Sequence, residues 1–111
     1  MNEQVQTELK KIFNSRFSTS ESARANYARG EDTYDPILSQ AVVFPETNEE
    51  VSKLLKLCNE HKIPVVPFGT GTSLEGNVVG NENGITISLE KMNKILDVNV
   101  EDFDCRVQAC V

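Results

Sequence analysis

Tryptophan is missing from this chain, histidine occurs once, and no apolar run approaches the roughly 18 residues a membrane-crossing helix requires. A lone imidazole, His61, is a poor basis for a metal centre or a nucleophile–base triad; at the end of a helical pattern it suits a capping role, where the helix dipole favours a cation. The three cysteines (58, 105 and 110) are odd in number and lack Cys-x-x-Cys spacing, and no Asn-x-Ser/Thr sequon occurs. A disulfide-rich secreted domain is thereby excluded, and the thiols read as reduced. Basic residues are also scarce: 11 Lys and Arg face 17 Asp and Glu, a net charge of −6. Nucleic acid, whose phosphates demand clustered cations, is a poor partner for such a surface.

What remains is ordinary for a soluble globular piece, with 39% hydrophobic and 25% charged residues. At 111 residues the chain can form one small domain, burying about two-thirds of its unfolded surface. No repeats or low-complexity tracts interrupt it. Residues 1–17 place Val5, Leu9, Ile12 and Phe13 at helical spacing, which predicts a docking helix; Glu3 and Glu8 argue against a mitochondrial targeting peptide. A second short helix is expected over 21–28, after the cap candidates Ser18, Thr19 and Ser20. Residues 30–36 read as an acidic, turn-rich linker, so 1–38 form an N-terminal helical segment and linker.

From residue 40 the order is strand, helix, strand. Residues 41–44 are apolar throughout, as in a strand covered on both faces. Thr47 with Glu50 forms a capping box, and Val51, Leu54, Leu55 and Cys58 form a helical stripe. A strand over 65–67 closes a βαβ unit, expected to be right-handed. Further strands are expected over 85–89, 95–99 and 105–109, with turns at Asn83-Gly84 and Glu101-Asp102. Cys105 and Cys110, five apart in one strand, should face opposite ways. The architecture is α+β, a small mixed sheet with helices on one face.

The most informative segment is Val65-Val66-Pro67-Phe68-Gly69-Thr70-Gly71-Thr72-Ser73-Leu74-Glu75-Gly76, an apolar strand running straight into a glycine-rich turn. Glycine admits φ > 0 and close backbone approach, so consecutive amides can converge on anionic oxygens, and Thr70, Thr72 and Ser73 add hydroxyl donors. A mononucleotide P-loop is excluded because Asn77-Val78 stands where Lys-Ser/Thr is needed. A Rossmann unit is excluded because residues 77–84 cannot form the required helix, although Glu90 resembles its acid.

Together with residues 41–51 and 63–76, the later Met92-Asn93-Lys94-Ile95-Leu96 and Glu101-Asp102-Phe103 make four ordered blocks. They resemble the N-terminal half of the FAD-binding domain of the FAD-linked oxidases, the fold shared with vanillyl-alcohol oxidase and p-cresol methylhydroxylase (PCMH). The likeness covers roughly 30–111 and is strongest to the branch of D-lactate dehydrogenase (cytochrome) and the glycolate oxidase FAD subunit. It implies that 39–111 are the N-terminal portion of an FAD-binding domain, truncated before its substrate domain. It also implies that Pro67, Phe68, Gly69, Thr70, Gly71, Thr72, Ser73, Gly76 and Asn77 contact the flavin cofactor, the turn holding its pyrophosphate. Cys110 stands where the family usually has glycine. The implied reaction is oxidation of a 2-hydroxy acid, D-lactate or glycolate, to the 2-oxo acid, with electrons passing to a cytochrome or quinone. Alternatives are 2-hydroxyglutarate or sugar-lactone oxidation, alkyl-phosphate ether synthesis, or a non-catalytic fragment. No catalytic or metal-binding residue is assigned within 1–111; the base, carboxylate-binding arginines and any metal ligands would lie beyond. The expected setting is cytoplasmic or membrane-peripheral, with mitochondrial as the alternative.

Overall fold

The structure, a computed structural model, describes residues 3–28, 35–72, 76 and 78–111. In chain order the elements are α1 (Glu3–Phe13), a 3₁₀ turn (Asn14–Arg16), β1 (Phe17–Ser18), α2 (Glu21–Asn26), β2 (Ala41–Val43), α3 (Asn48–Glu60), β3 (Val65–Phe68), β4 (Ile85–Ser88), β5 (Ile95–Asn99) and β6 (Asp104–Val107). Strands β1 to β4 form one sheet in the order β1-β2-β4-β3, and β5 with β6 form a separate antiparallel hairpin. Strand β4 is parallel to both neighbours, pairing Ile85 with Ala41 and with Val65, while β1 is antiparallel to β2. β2 and β3, linked through α3, are thus separated by one strand rather than adjacent.

Side chains alternate across a strand, so one face carries Phe17, Ala41, Val43, Ile85 and Ile87. Against it pack Val5, Leu9 and Phe13 of α1 and Leu54, Leu57 and Cys58 of α3, forming one hydrophobic cluster. The docking role expected for α1 is borne out, although the helix stops at Phe13 and Phe17 enters the sheet. The expected stripe on α3 is corrected: Leu57 is buried, Val51 is only half-buried, and Leu55 is 45% exposed. Cys58 lies in the cluster, and burial pushes its thiol up to about 11, which leaves it protonated and inert.

Helices on one face describes α1 and α3 but not the whole fold. The other face carries Val42, Thr86, Ser88 and Phe68, and Tyr27, at the end of α2, packs on Phe68. Beneath it, the buried hydroxyls of Ser39 and Thr86 bond to each other at 2.8 Å, and Ser39 Oγ also accepts from Asn81 N. Ser20 caps α2, accepting from Ala23 N, and Arg24 Nε donates to Ser39 O at 2.7 Å. Within the linker expected over 30–36, residues 30–34 lie outside the described residues.

The expected capping box forms, with an added partner. Thr47 Oγ1 accepts from Glu50 N at 3.2 Å, and the Glu50 carboxylate, held by the Thr47 amide, also accepts from Glu46 N at 2.8 Å. The added partner is Arg16, whose guanidinium meets the carboxylate through both terminal nitrogens, Nη1 to Oε1 at 2.7 Å, and also donates to Phe44 O. A bidentate, partly buried pair therefore ties the end of the first helical segment to the start of α3. The C-terminal strand is also shorter than expected: β6 ends at Val107, Cys105 lies on it, and Cys110 lies in the turn that follows, so the two are not alternating positions of one strand. The hairpin leaves Ile95, Leu96, Val98, Val100 and Phe103 exposed. The radius of gyration is 15.0 Å, against about 13 Å for a compact chain of this length.

Arg16 holds the Glu50 carboxyl down at about 2. A carboxylate depressed in the folded state contributes stability that is complete above its unfolded value near 4.5 and is lost as pH falls towards 2. Glu50→Gln should lower stability at pH 7 by about 1–3 kcal/mol and flatten the acid limb between pH 5 and 2, read by urea unfolding across that range. A variant with an unchanged acid limb would show that other carboxylates carry it.

Candidate functional site

Because β2, β3 and β4 run parallel, their C-terminal ends meet at one edge of the sheet, the side on which open α/β sheets bind ligands. Phe44 follows β2, the glycine turn follows β3, and Leu89 and Glu90 follow β4. Strand β3 is an edge strand, which is why Pro67, lacking an N–H, is tolerated within it. Pro67 is exposed, whereas the Phe68 ring is buried on the second face of the sheet.

Beyond Phe68 the backbone turns at once. Gly71 takes a φ of 73°, and a Cβ built there would stand 2.6 Å from Cζ of Phe68, so both the backbone conformation and the ring beneath require glycine. Gly76 also has a positive φ, and its carbonyl accepts from Val79 N at 3.2 Å. Thr70 and Thr72 are exposed, with hydroxyl oxygens 3.2 Å apart. Among the described residues, the amides of Thr70, Gly71 and Thr72 donate to no backbone carbonyl. The turn thus brings together Phe68, Gly69, Thr70, Gly71 and Thr72; Ser73 and Asn77 lie outside the described residues. Cys110 lies against it, its Sγ 3.8 Å from where a Cβ of Gly69 would be.

Such a turn offers hydrogen-bond donors and open space. The chain has no Lys or Arg between Lys62 and Lys91, so what the turn itself offers an anion is amide dipoles and hydroxyls. These features fit a diphosphate, which carries several acceptor oxygens and needs close backbone approach. No three His, Cys, Asp or Glu side chains cluster to hold a metal among the described residues. An apolar groove of about 600 Å³ lies elsewhere, between Val51, Leu55 and Asn59 of α3 and Leu89, Met92 and Ala109. Asn48, Ser52 and Lys56 also line it, but its exposed walls are mainly apolar, which leaves the donor-rich turn the stronger candidate for recognising a diphosphate.

One residue at this edge escaped the reading of the sequence. Tyr27 packs edge-on against Phe44, centroids 5.4 Å apart, and against Phe68 at 5.2 Å, and its hydroxyl donates to Glu90 Oε1 at 2.6 Å. Burial and the Glu90 carboxylate push the phenol up to about 12, against a small opposing effect of the Ser88 hydroxyl, so it stays protonated. The only hint in the sequence was a large aromatic ending an otherwise polar helix.

Comparison with known proteins completes the description. Residues 39–111 match the family described as FAD binding domain. The chain is 41% identical over 91 residues to a probable mitochondrial D-lactate dehydrogenase of Danio rerio, an alignment covering 82% of this chain and 18% of that protein. It is 35% identical to the mitochondrial D-lactate dehydrogenase [cytochrome] of Arabidopsis thaliana, covering 92% of this chain and 18% of the relative. To glycolate oxidase subunit GlcD of Bacillus subtilis it is 33% identical, covering 83% and 20%. Among solved structures, an alkyldihydroxyacetonephosphate synthase superposes with a TM-score of 0.86 at 23% identity, over 97% of this chain and 24% of that one. A p-cresol methylhydroxylase superposes at 0.74 and 22% identity, over 86% and 20%. The fold is therefore the PCMH type that the sequence suggested, and the chain spans about a fifth of the curated relatives' length.

Gly71→Ala should cost about 1–3 kcal/mol, the sum of a left-handed alanine and a displaced Phe68 ring. Thr72→Ala, which removes an exposed hydroxyl whose partner among the described residues is Thr70, should cost less than about 1 kcal/mol. Chemical denaturation of the two variants side by side measures the difference.

Proposed function

This chain belongs to the FAD binding domain family, matched over residues 39–111, and from that premise we propose that its glycine turn holds the diphosphate of FAD in an oxidoreductase acting on a 2-hydroxy acid. The single observation that carries the reading is the left-handed Gly71 between two threonines at the end of β3, with amides turned to no carbonyl among the described residues. Residues 1–38 are then a helical segment and linker, and 39–111 the N-terminal portion of the flavin domain. Pro67, Phe68, Gly69, Thr70, Gly71, Thr72, Ser73, Gly76 and Asn77 are the proposed cofactor contacts.

FAD, when bound, supplies the two-electron acceptor that side chains lack. What this chain contributes is binding: amides of 70–72 would offset the diphosphate charge, the threonine hydroxyls would fix its orientation, and the sheet edge would hold both rigid. D-Lactate or glycolate is the proposed substrate, supported by the relatives named D-lactate dehydrogenase and glycolate oxidase subunit. A cytochrome is the proposed electron acceptor, as the printed name of the Arabidopsis relative suggests, with a quinone as alternative. Among the described residues no helix is long and apolar enough to cross a membrane. The proposed setting is cytoplasmic or membrane-peripheral, or mitochondrial like the Danio and Arabidopsis relatives.

A full-length enzyme carrying this domain should be yellow, and its visible absorbance should bleach under anaerobic conditions with D-lactate or glycolate but not with L-lactate, whereas residues 1–111 alone should not turn over either acid. Protein that is colourless and stays so when mixed with FAD would defeat the reading of the turn; yellow protein indifferent to both acids would defeat the substrate alone.

A further inference from the structure

We propose that Tyr27 is the positioning residue of the glycine turn, and that the segment preceding the family-matched region is therefore a working part of the flavin site. The inference rests on the reading of the turn as a diphosphate cradle. It goes beyond that reading, because the family match begins at residue 39 and Tyr27 lies outside it.

A single side chain reaches the C-terminal ends of all three parallel strands. The Tyr27 ring stands edge-on to Phe44 after β2 at 77° and to Phe68 at the end of β3 at 81°. Its hydroxyl bonds to Glu90, which follows β4, at 2.6 Å and lies beside the buried Ser88 hydroxyl at the end of that strand. Phe68 in turn lies directly under the turn, its ring edge 2.6 Å from the place a Gly71 Cβ would occupy. Gly71 thus rests on Phe68, and Phe68 is braced by Tyr27.

The brace has a fixed footing. Tyr27 is the C-terminal cap of α2, whose start is capped by Ser20. Arg24 Nε holds the helix to Ser39 O at 2.7 Å, and the carbonyl of neighbouring Ala28 accepts from Gly80 N at 3.1 Å. A space-filling role would need only an apolar ring. A phenol clamped between two perpendicular rings and hydrogen-bonded to a carboxylate at its far end has its position fixed along its whole length, and so fixes the Phe68 ring.

The test compares FAD affinity, by fluorescence quenching, and amide hydrogen exchange in the purified protein and its Tyr27→Leu and Tyr27→Phe variants. Tyr27→Leu removes both edge-to-face contacts, and should weaken FAD binding about tenfold and speed exchange at residues 69–72 by a similar factor. Exchange at 54–58 and 85–87 should not change. Tyr27→Phe keeps both ring contacts and loses only the hydroxyl bond, so both effects should shrink to about threefold. Unchanged affinity and turn exchange in Tyr27→Leu would overturn the proposal, and so would acceleration spread equally over α3 and β4, the mark of a purely stabilising residue. Should Tyr27→Leu fail to fold, Tyr27→Phe decides, because unchanged exchange at 69–72 in that variant sinks the brace. A wild-type protein that binds no FAD would count against the diphosphate reading, while exchange at 69–72 would still decide what Tyr27 does.

Discussion

Everything in this fold is arranged around one strand with no exposed side. Ile85, Thr86, Ile87 and Ser88 of β4 are all buried, because the strand is paired on both edges and covered on both faces. Two-sided burial obliges every polar group there to find a partner, and Thr86 meets Ser39 while Ser88 meets Tyr27. It also fixes the direction of its neighbours: because β2 and β3 both run parallel to β4, their ends and its own end arrive at the same edge. The glycine turn is at that edge for a topological reason.

Charge plays a narrower part. The Arg16 and Glu50 pair joins a residue before the sheet to the first turn of α3, and one Arg16 nitrogen also holds the carbonyl of Phe44. Phe44 is one of the two rings that flank Tyr27. A continuous set of contacts therefore links the ion pair to the aromatic trio and so to the turn, each step a packed ring or a charge-assisted bond. The edge is stiff without cysteine crosslinks: Cys58, Cys105 and Cys110 are all free thiols.

Much of this was legible in the residues. Helical spacing located α1 and α3, an unbroken apolar run located the two-sided burial of β2, and a strand running into Gly69-Thr70-Gly71 located the turn. What failed had physical causes. Leu57, not Leu55, faces the sheet, because a four-point helical template leaves about one residue of rotation undecided and the sheet chooses. In the capping box Glu50 also pairs with Arg16, a residue 34 positions away, and local patterns are blind to such a partner. Strand order could not be read because β4 follows β3 in sequence yet inserts between β3 and β2. Tyr27 was missed since its role exists only when three strand ends have been brought together.

That insertion has a consequence for how the polypeptide is made. As the nascent chain leaves the ribosome, β2 and β3 emerge with no partner for either facing edge, and they must wait for residues 85–88 before the sheet can zip. Until then the apolar faces of Val42, Val43 and Phe68 stand uncovered, a window in which chaperone capture competes with misassociation. Slow codons or a stall just upstream of Ile85 would lengthen that exposure far more than the same delay after Ser88.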